Sequence, residues 1–491
     1  MPGQRKKGGR FMQTFPLIIV TAYLVGMLVV GFIVGKLKIK TSSDYMLAGR
    51  RMGLFMVAFS LSANNIGGGC TTGLAAKAFG SWGMSAVWYV LAASIAMIPL
   101  AYFAPKIRKT MAVTIPEVVG RRFGKISSGF TSVLSVLSLF CLTSSQIVAS
   151  GIVVASLTGI PLNVALLIAG AVVILYTTFG GMMADQISDL VQFGIILVGL
   201  AIATPIVIHG CGGWQAISEA LPGEQLSMTK IGWVPIVGYI FNYFCTFLAG
   251  PEMVSRFETA KDEKTARNAS WLSAILMAAM SIFPTLLGLA ALAMKEHIPG
   301  LAENGSNAMM AVTSAYAPDV IVGLVSAAII CATMSSADSN LLCMSTIVMN
   351  DIYLGLLGRK KPSEKKLILY TRICNVVFAC IAMLIAMFEV PIVEMNTFAF
   401  GIRCAGPFAA YGLGLIYPKA TKPAGIASLF AGTVGFCIWQ IFSKGGFLFG
   451  ILPVVFGCAV SVITFFVVNA IALHKGVKPA PSAYEPVPEK Q

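Results

Sequence analysis

The chain has 491 residues, 57% hydrophobic and only 11% charged, with a mean hydropathy of +0.83. A soluble protein carries about 25% charged residues, so this composition excludes one and predicts an all-α polytopic membrane protein embedded in a lipid bilayer. The net charge of +15 suggests no nucleic-acid partner, because the basic residues sit in short clusters between apolar runs; eleven dispersed Cys without CxxC spacing and three separated His leave no metal framework and no enzyme-like constellation.

In chain order, a basic tail (1–12) precedes a first span at 13–35, whose apolar run is too long, and its flank too poor in small residues, for a cleaved signal peptide. Twelve further spans are expected at 53–79, 83–105, 127–158, 161–179, 189–209, 233–255, 270–294, 319–347, 368–388, 392–417, 424–442 and 446–473. With about thirteen spans, alternate loops fall on opposite sides. Loops 36–52, 105–126, 256–269, 348–372 and 418–423 with the C-terminal tail then share 26 of the 35 Lys and Arg; the other side has 8. This asymmetry predicts a cell-membrane protein with its C-terminus in the cytoplasm and its N-terminus outside. The Pro-rich tail, 474–491, is expected to be disordered.

Two spans carry interruptions. Asn64-Asn65-Ile66-Gly67-Gly68-Gly69 places two amides and three consecutive glycines inside the second span, where a continuous helix is disfavoured. Gly250-Pro251-Glu252 does the same in the seventh, with proline removing a ladder hydrogen bond and Glu252 bringing a carboxylate to membrane depth. The breaks lie five spans apart, an odd number, so matched five-helix units would be inverted in the membrane. The expected organisation is a first repeat at 53–209, a second at 233–417 and two flanking helices at 424–473. Broken helices offer free carbonyls to a cation and free amides to an anionic group.

A polar stripe marks the span 319–347. On a helix Ala332, Ser335, Ser336 and Ser339 share one face, with Asp338 at its edge, an oxygen-rich surface suited to a hard cation. Arg403 is read as the one basic residue within a span. Its nearest acid in that span, Glu394, lies nine residues away on the opposite helical face, which leaves an acid on another span, a water-filled cavity or a solute carboxylate as its partner.

Four motifs, in order and on matching spans, resemble the sodium:solute symporter family. They are Ala63-Asn64-Asn65-Ile66; Gly180-Gly181-x-x-Ala184 through Asp189-x-x-Gln192; Gly250-Pro251 followed by Arg256-Phe257 and Ala260-Lys261; and Ala332-x-x-Ser335-Ser336 ending in Asn350-Asp351-Ile352-Tyr353. The resemblance runs from about Tyr45 to about Leu429. It implies a LeuT-like core of two inverted five-helix repeats and Na⁺ as coupling ion, with no other cofactor. It also implies a sodium site, Na2, at the carbonyls of Ala63, Ile66 and Ala332 and the hydroxyls of Ser335 and Ser336. A second cation or proton site would use Asp189, Asp338 and Ser339, with Ser335 beside them. Ser335-Ser336-Ala337-Asp338-Ser339 and the three glycines also resemble the high-affinity choline transporter branch, although Asn65 stands where that branch has Trp.

The expected function is Na⁺-coupled import of a small polar organic solute by alternating access, with no obligate protein partner evident. Proton coupling or a choline-like quaternary amine is the alternative within the class; a transporter-fold sensor or an ion channel is the alternative outside it. Gly69-Cys70 replaces the Glu-Gln of sugar carriers, and the Trp of proline carriers is missing near the break, which weakens both substrates. Candidate solute contacts are Asn64, Asn65, Gly67, Gly68, Gly69, Gln146, Phe244, Phe247, Glu252 and Arg403, with Phe241, Tyr243, Ser144 and Ser145 as further wall residues.

Overall fold

The computed structural model describes residues 14–38, 41–388 and 390–485. The N-terminal tail expected at 1–12 and the last residues, 486–491, lie outside them. The principal helices are α1 (Thr14–Lys38), α2 (Leu54–Asn65), α3 (Thr72–Phe79), α4 (Trp88–Lys109), α5 (Lys125–Thr158), α6 (Leu162–Gly210), α7 (Trp233–Leu248), α8 (Pro251–Thr259), α9 (Glu263–Met280), α10 (Ile282–Ala293), α11 (Asp319–Ile347), α12 (Glu364–Ala386), α13 (Ile392–Cys404), α14 (Lys422–Ser443) and α15 (Pro453–His474).

Among the described residues nine helices are long and apolar enough to cross a membrane, and eleven spans result if each strongly bent pair counts as one. The expected thirteen would also require Leu162–Leu175 and the interrupted α2–α3 pair to cross, which length and apolarity alone do not establish. Helix α11 forms the centre. It packs against α5, α6 and α1, and its span has 89% of its most apolar window buried, against 22% for α12 at the periphery.

The two expected interruptions are present. α2 ends at Asn65, a short turn covers Gly68–Cys70, and the chain resumes as α3. The glycines are needed here for close approach. A Cβ on Gly67 would lie 2.5 Å from Gln146 Oε1 and 2.7 Å from Ser336 Oγ, and Cβ atoms on Gly68 and Gly69 would run into Ala149 and Asn396. α7 and α8 meet at Gly250 with a bend of 56°. The lead-in to α2 pairs with the far end of α8: the Met52 amide donates to the Thr259 carbonyl at 3.1 Å, and the Lys261 amide donates to the Met52 carbonyl at 3.0 Å. The two broken helices are thereby tied together at one end.

Several boundaries differ from expectation. α6 is one run bent at Gly181, whose φ of 58° and ψ of 178° only glycine adopts readily; its second half begins at Gly181 rather than 189, which puts Asp185 and Asp189 in the same helix. α8 reaches Thr259, not 255, so Arg256 is helical and buried rather than a loop residue. α9 begins at Glu263 instead of 270 because Asp262 caps it, its carboxylate accepting from the Thr265 amide at 2.7 Å and held below its usual range by that bond. The span expected at 392–417 is itself broken after Cys404 and resumes at Phe408–Ile416 with a 51° bend; Gly406-Pro407 repeats the signal of Gly250-Pro251. The last span starts at Pro453 rather than 446, after a glycine-rich loop. The tail expected to be disordered packs back as far as Tyr484: the Ala480 amide donates to the Ala420 carbonyl at 2.7 Å, and the Tyr484 hydroxyl donates to the Leu415 carbonyl at 2.8 Å.

Candidate functional site

Ending α2 at Asn65 leaves its last carbonyls without helical partners, which in a membrane interior must be met from elsewhere. The facing helix α11 supplies hydroxyls. Ser335 Oγ donates to the Ala63 carbonyl at 3.0 Å and lies 3.0 Å from the Ala332 carbonyl. Ser336 Oγ donates to the Asn64 carbonyl at 2.8 Å and lies 3.1 Å from the Ala332 carbonyl. Ala63, Ile66, Ala332 and Ser335 are wholly enclosed, and Ser336 nearly so. Ile66 caps α2 with φ −86° and ψ 70°, so its carbonyl departs from the helix direction. Of the residues read as Na2, Ala63, Ala332, Ser335 and Ser336 are brought together, with the Asn64 carbonyl, absent from that set, meeting the second hydroxyl; Ile66 lies one position past the end of α2. Oxygens without formal charge suit a hard monovalent cation that must also be released.

One turn further along α11 the chemistry becomes charged. Ser339 Oγ faces both Asp185 oxygens at 3.3 and 3.4 Å and also meets the Arg256 guanidinium. Arg256, fully buried, bonds Asp185 Oδ2 at 2.5 Å, Ser60 Oγ at 3.2 Å and Asp189 Oδ2 at 3.5 Å, and Ser60 in turn donates to Asp189 at 2.5 Å. Asp338 accepts from Thr177 of α6. Asp189 Oδ1 and Asp338 Oδ2 are buried and find no hydrogen-bond partner among the described residues. Of the expected second site, then, Asp189 and Ser339 share Arg256 while Asp338 has its own hydroxyl. Arg256, Asp185, Ser60 and Thr177 were not singled out as site residues from sequence. Arg256 lay one residue past the expected end of its span, and the spacing of Asp185 four residues before Asp189 on one helix was the signal that could have found it.

A cavity of about 30 Å³, room for roughly two waters, opens between the breaks. Asn64, Asn65, Gly67, Gly69, Gln146 and Phe247 line it as expected, with Glu252 and Tyr243. Gly68 lies just behind, its amide donating to Gln146 Oε1 at 2.7 Å. The wall also includes Tyr89, Asn340, Asn396 and Phe400, which sequence patterns did not distinguish from packing residues. Other expected contacts fall elsewhere. Phe244 packs against Phe103 and Phe408, and Phe241 is 55% exposed on the outer face of α7, because a helix can turn only one stripe inward. Ser144 Oγ donates to the Ala382 carbonyl and serves packing, and Ser145 Oγ donates to that of Leu142 and accepts from Gln146 Nε2 at 3.1 Å, behind the cavity wall.

Arg403 is buried behind the wall and bonds Glu252 Oε2 at 2.6 Å, an acid on another span; Glu394 pairs instead with Lys77 at 2.5 Å. Ser336 belongs both to the hydroxyl–carbonyl cluster and to the cavity lining, so the two adjoin.

A helical core with broken helices meeting at a central cavity, flanked by an oxygen cluster at the end of a half-helix, defines a secondary transporter rather than an enzyme. The chain belongs to the sodium:solute symporter family, whose model matches residues 45–432, and Na⁺ is its coupling ion. It is 28% identical to the osmoregulated proline transporter OpuE of Bacillus subtilis (strain 168), covering 95% of this chain and 96% of that protein. It is 26% identical to the high-affinity proline transporter PutP of the same organism, covering 91% and 96%. A Na⁺-coupled sialic acid symporter, solved substrate-bound and outward-open, shares the fold with a TM-score of 0.78 at 21% identity, covering 95% of this chain and 99% of that one. The choline-like expectation receives no support from these relatives. The absence of a Trp near the first break coexists with relatives that carry proline.

Proposed function

We propose that this protein imports a small amino-acid-like zwitterion, of the size and class of proline, driven by the inward Na⁺ gradient. The observation that carries this reading is the meeting of the Ser335 and Ser336 hydroxyls with the carbonyls of Ala63, Asn64 and Ala332, directly beside a cavity walled by both breaks. In this reading Na⁺ is held by Ala63, Ile66, Ala332, Ser335 and Ser336, and Asp189, Asp338 and Ser339 form the surroundings of a second cation or proton. The two proline-carrying relatives support the solute class. The repeats span 53–209 and 233–417, and the protein resides in the cell membrane with its N-terminus outside and its C-terminus cytoplasmic.

Na⁺ bridges the end of α2 to α11, so its binding favours the conformation in which these helices are drawn together. Solute bound at the breaks gains affinity from the same closure, and the effect is reciprocal. The cavity is too small here for an organic solute, so α2–α3 and α7–α8 must part from α5 and α13 to admit one. The membrane potential adds about 2.3 kcal/mol per charge per 100 mV. The test is uptake of labelled L-proline by proteoliposomes under an imposed Na⁺ gradient. Accumulation that requires the gradient is expected, and absence of Na⁺-dependent uptake across a panel of small amino acids would overturn the reading.

A further inference from the structure

We propose that Glu252, held in place by Arg403, recognises a positively charged nitrogen on the transported solute; this rests on reading the cavity as the solute site. Glu252 is the one charged side chain among the described residues lining that cavity, and it is 4% exposed. It sits in the first turn of α8, immediately after the Gly250-Pro251 break, where the unpaired amides of a helix start favour a carboxylate. Arg403 holds one of its oxygens from behind at 2.6 Å and does not itself line the cavity. The ring of Phe400, 5.1 Å from the guanidinium, does. The guanidinium Nη1 is engaged by Glu252, and Nε and Nη2, which are buried without a partner among the described residues, do not line the cavity either, so Glu252 rather than Arg403 is the charge presented to a solute there.

The rest of the wall has the same preference. Tyr89 and Tyr243 pack with ring centroids 5.5 Å apart, and Tyr243 packs on Phe247 at 5.3 Å and on Phe400 at 5.7 Å. All four rings line the cavity, and aromatic faces attract cations. The remaining polar groups are neutral: both amide atoms of Asn64 are buried without a partner among the described residues, and the hydroxyls of Tyr89 and Tyr243 face each other and Asn396. One carboxylate, four rings and uncharged donors match an ammonium, with the neutral amides left for the other end of the solute. Gly250 makes the arrangement sterically feasible, since a Cβ there would stand 3.1 Å from Arg403 Nη2 and 3.2 Å from Glu252 Oε1.

The experiment is competition against Na⁺-driven L-proline uptake in proteoliposomes of the full chain. The competitors are unlabelled L-proline, its ring-oxygen analogue tetrahydrofuran-2-carboxylate, and glycine betaine as a quaternary nitrogen. Loss of one charge-assisted hydrogen bond predicts that the oxygen analogue competes ~10- to 100-fold more weakly than proline in the parent protein. Because Glu252→Gln alone strands a buried guanidinium, the double variant Glu252→Gln/Arg403→Met serves as the charge-neutral comparison. In it the gap is expected to shrink severalfold or more, through weaker proline binding. Betaine competing as well as proline assigns recognition to charge and rings; betaine competing weakly assigns it to a donated N–H on Glu252; both uphold the role of Glu252. A parent protein that takes up proline but does not discriminate, or a double variant that keeps the parental ratio, overturns this assignment alone. Failure of the parent to take up any amino acid overturns the solute reading and the assignment with it.

Discussion

Helix α11 presents two polar clusters one turn apart that are built on opposite principles. The Ser335–Ser336 cluster contains no formal charge: hydroxyls meet carbonyls freed by the end of α2. The Ser339 cluster contains a buried guanidinium between two carboxylates, with a third carboxylate, that of Asp338, accepting from the Thr177 hydroxyl. A neutral oxygen cluster can take up and release a cation at modest cost, whereas carboxylates at bilayer depth demand a permanent counter-charge, which Arg256 provides. A neutral cluster and a charge-paired cluster thus stand one turn apart on a single helix, the first suited to the proposed Na⁺ and the second held together by Arg256.

The largest test of this contrast removes the permanent charge. Arg256→Met should strand Asp185 and Asp189 and cost about 3–5 kcal/mol, read as a collapse of thermal stability in detergent. A variant as stable as the parent would mean that Arg256 is not the structural counter-charge. Next in size, Thr177→Val removes the hydroxyl that Asp338 accepts from and should cost about 1–3 kcal/mol by the same measurement; no loss of stability would show that Asp338 relies on other partners. Smallest in energy but most specific, Ser336→Ala should raise the Na⁺ concentration for half-maximal uptake about tenfold, some 1.4 kcal/mol, and shift stability by no more than about 1 kcal/mol. An unchanged Na⁺ dependence in that variant would separate the neutral cluster from cation binding and erase the contrast.

Much of this arrangement was legible in the sequence where a local pattern has a single physical consequence. Three glycines in a span, or Gly-Pro in a span, cannot sustain a helix, and both breaks appear where expected. A Ser-Ser pair on the buried face of an apolar helix must find acceptors, and it does. Gly406-Pro407 was as legible as Gly250-Pro251 but lacked an adjacent acid to draw attention. Span ends were less legible, because apolarity fades gradually whereas capping acts at a point. Asp262 started α9 seven residues early, and α8 ran past Arg256 because Asp185 and Asp189 were available to neutralise it.

By itself the sequence determined the class of protein, the positions of the two interruptions and the oxygen-rich face of α11, since composition, helix-breaking residues and helical periodicity act locally. Only the tertiary structure decided which charge meets which. Arg403 pairs with Glu252, 151 residues away, and Arg256 with Asp185, 71 residues away, because in the low dielectric of a membrane interior a buried guanidinium is stabilised by a carboxylate brought to it from another helix.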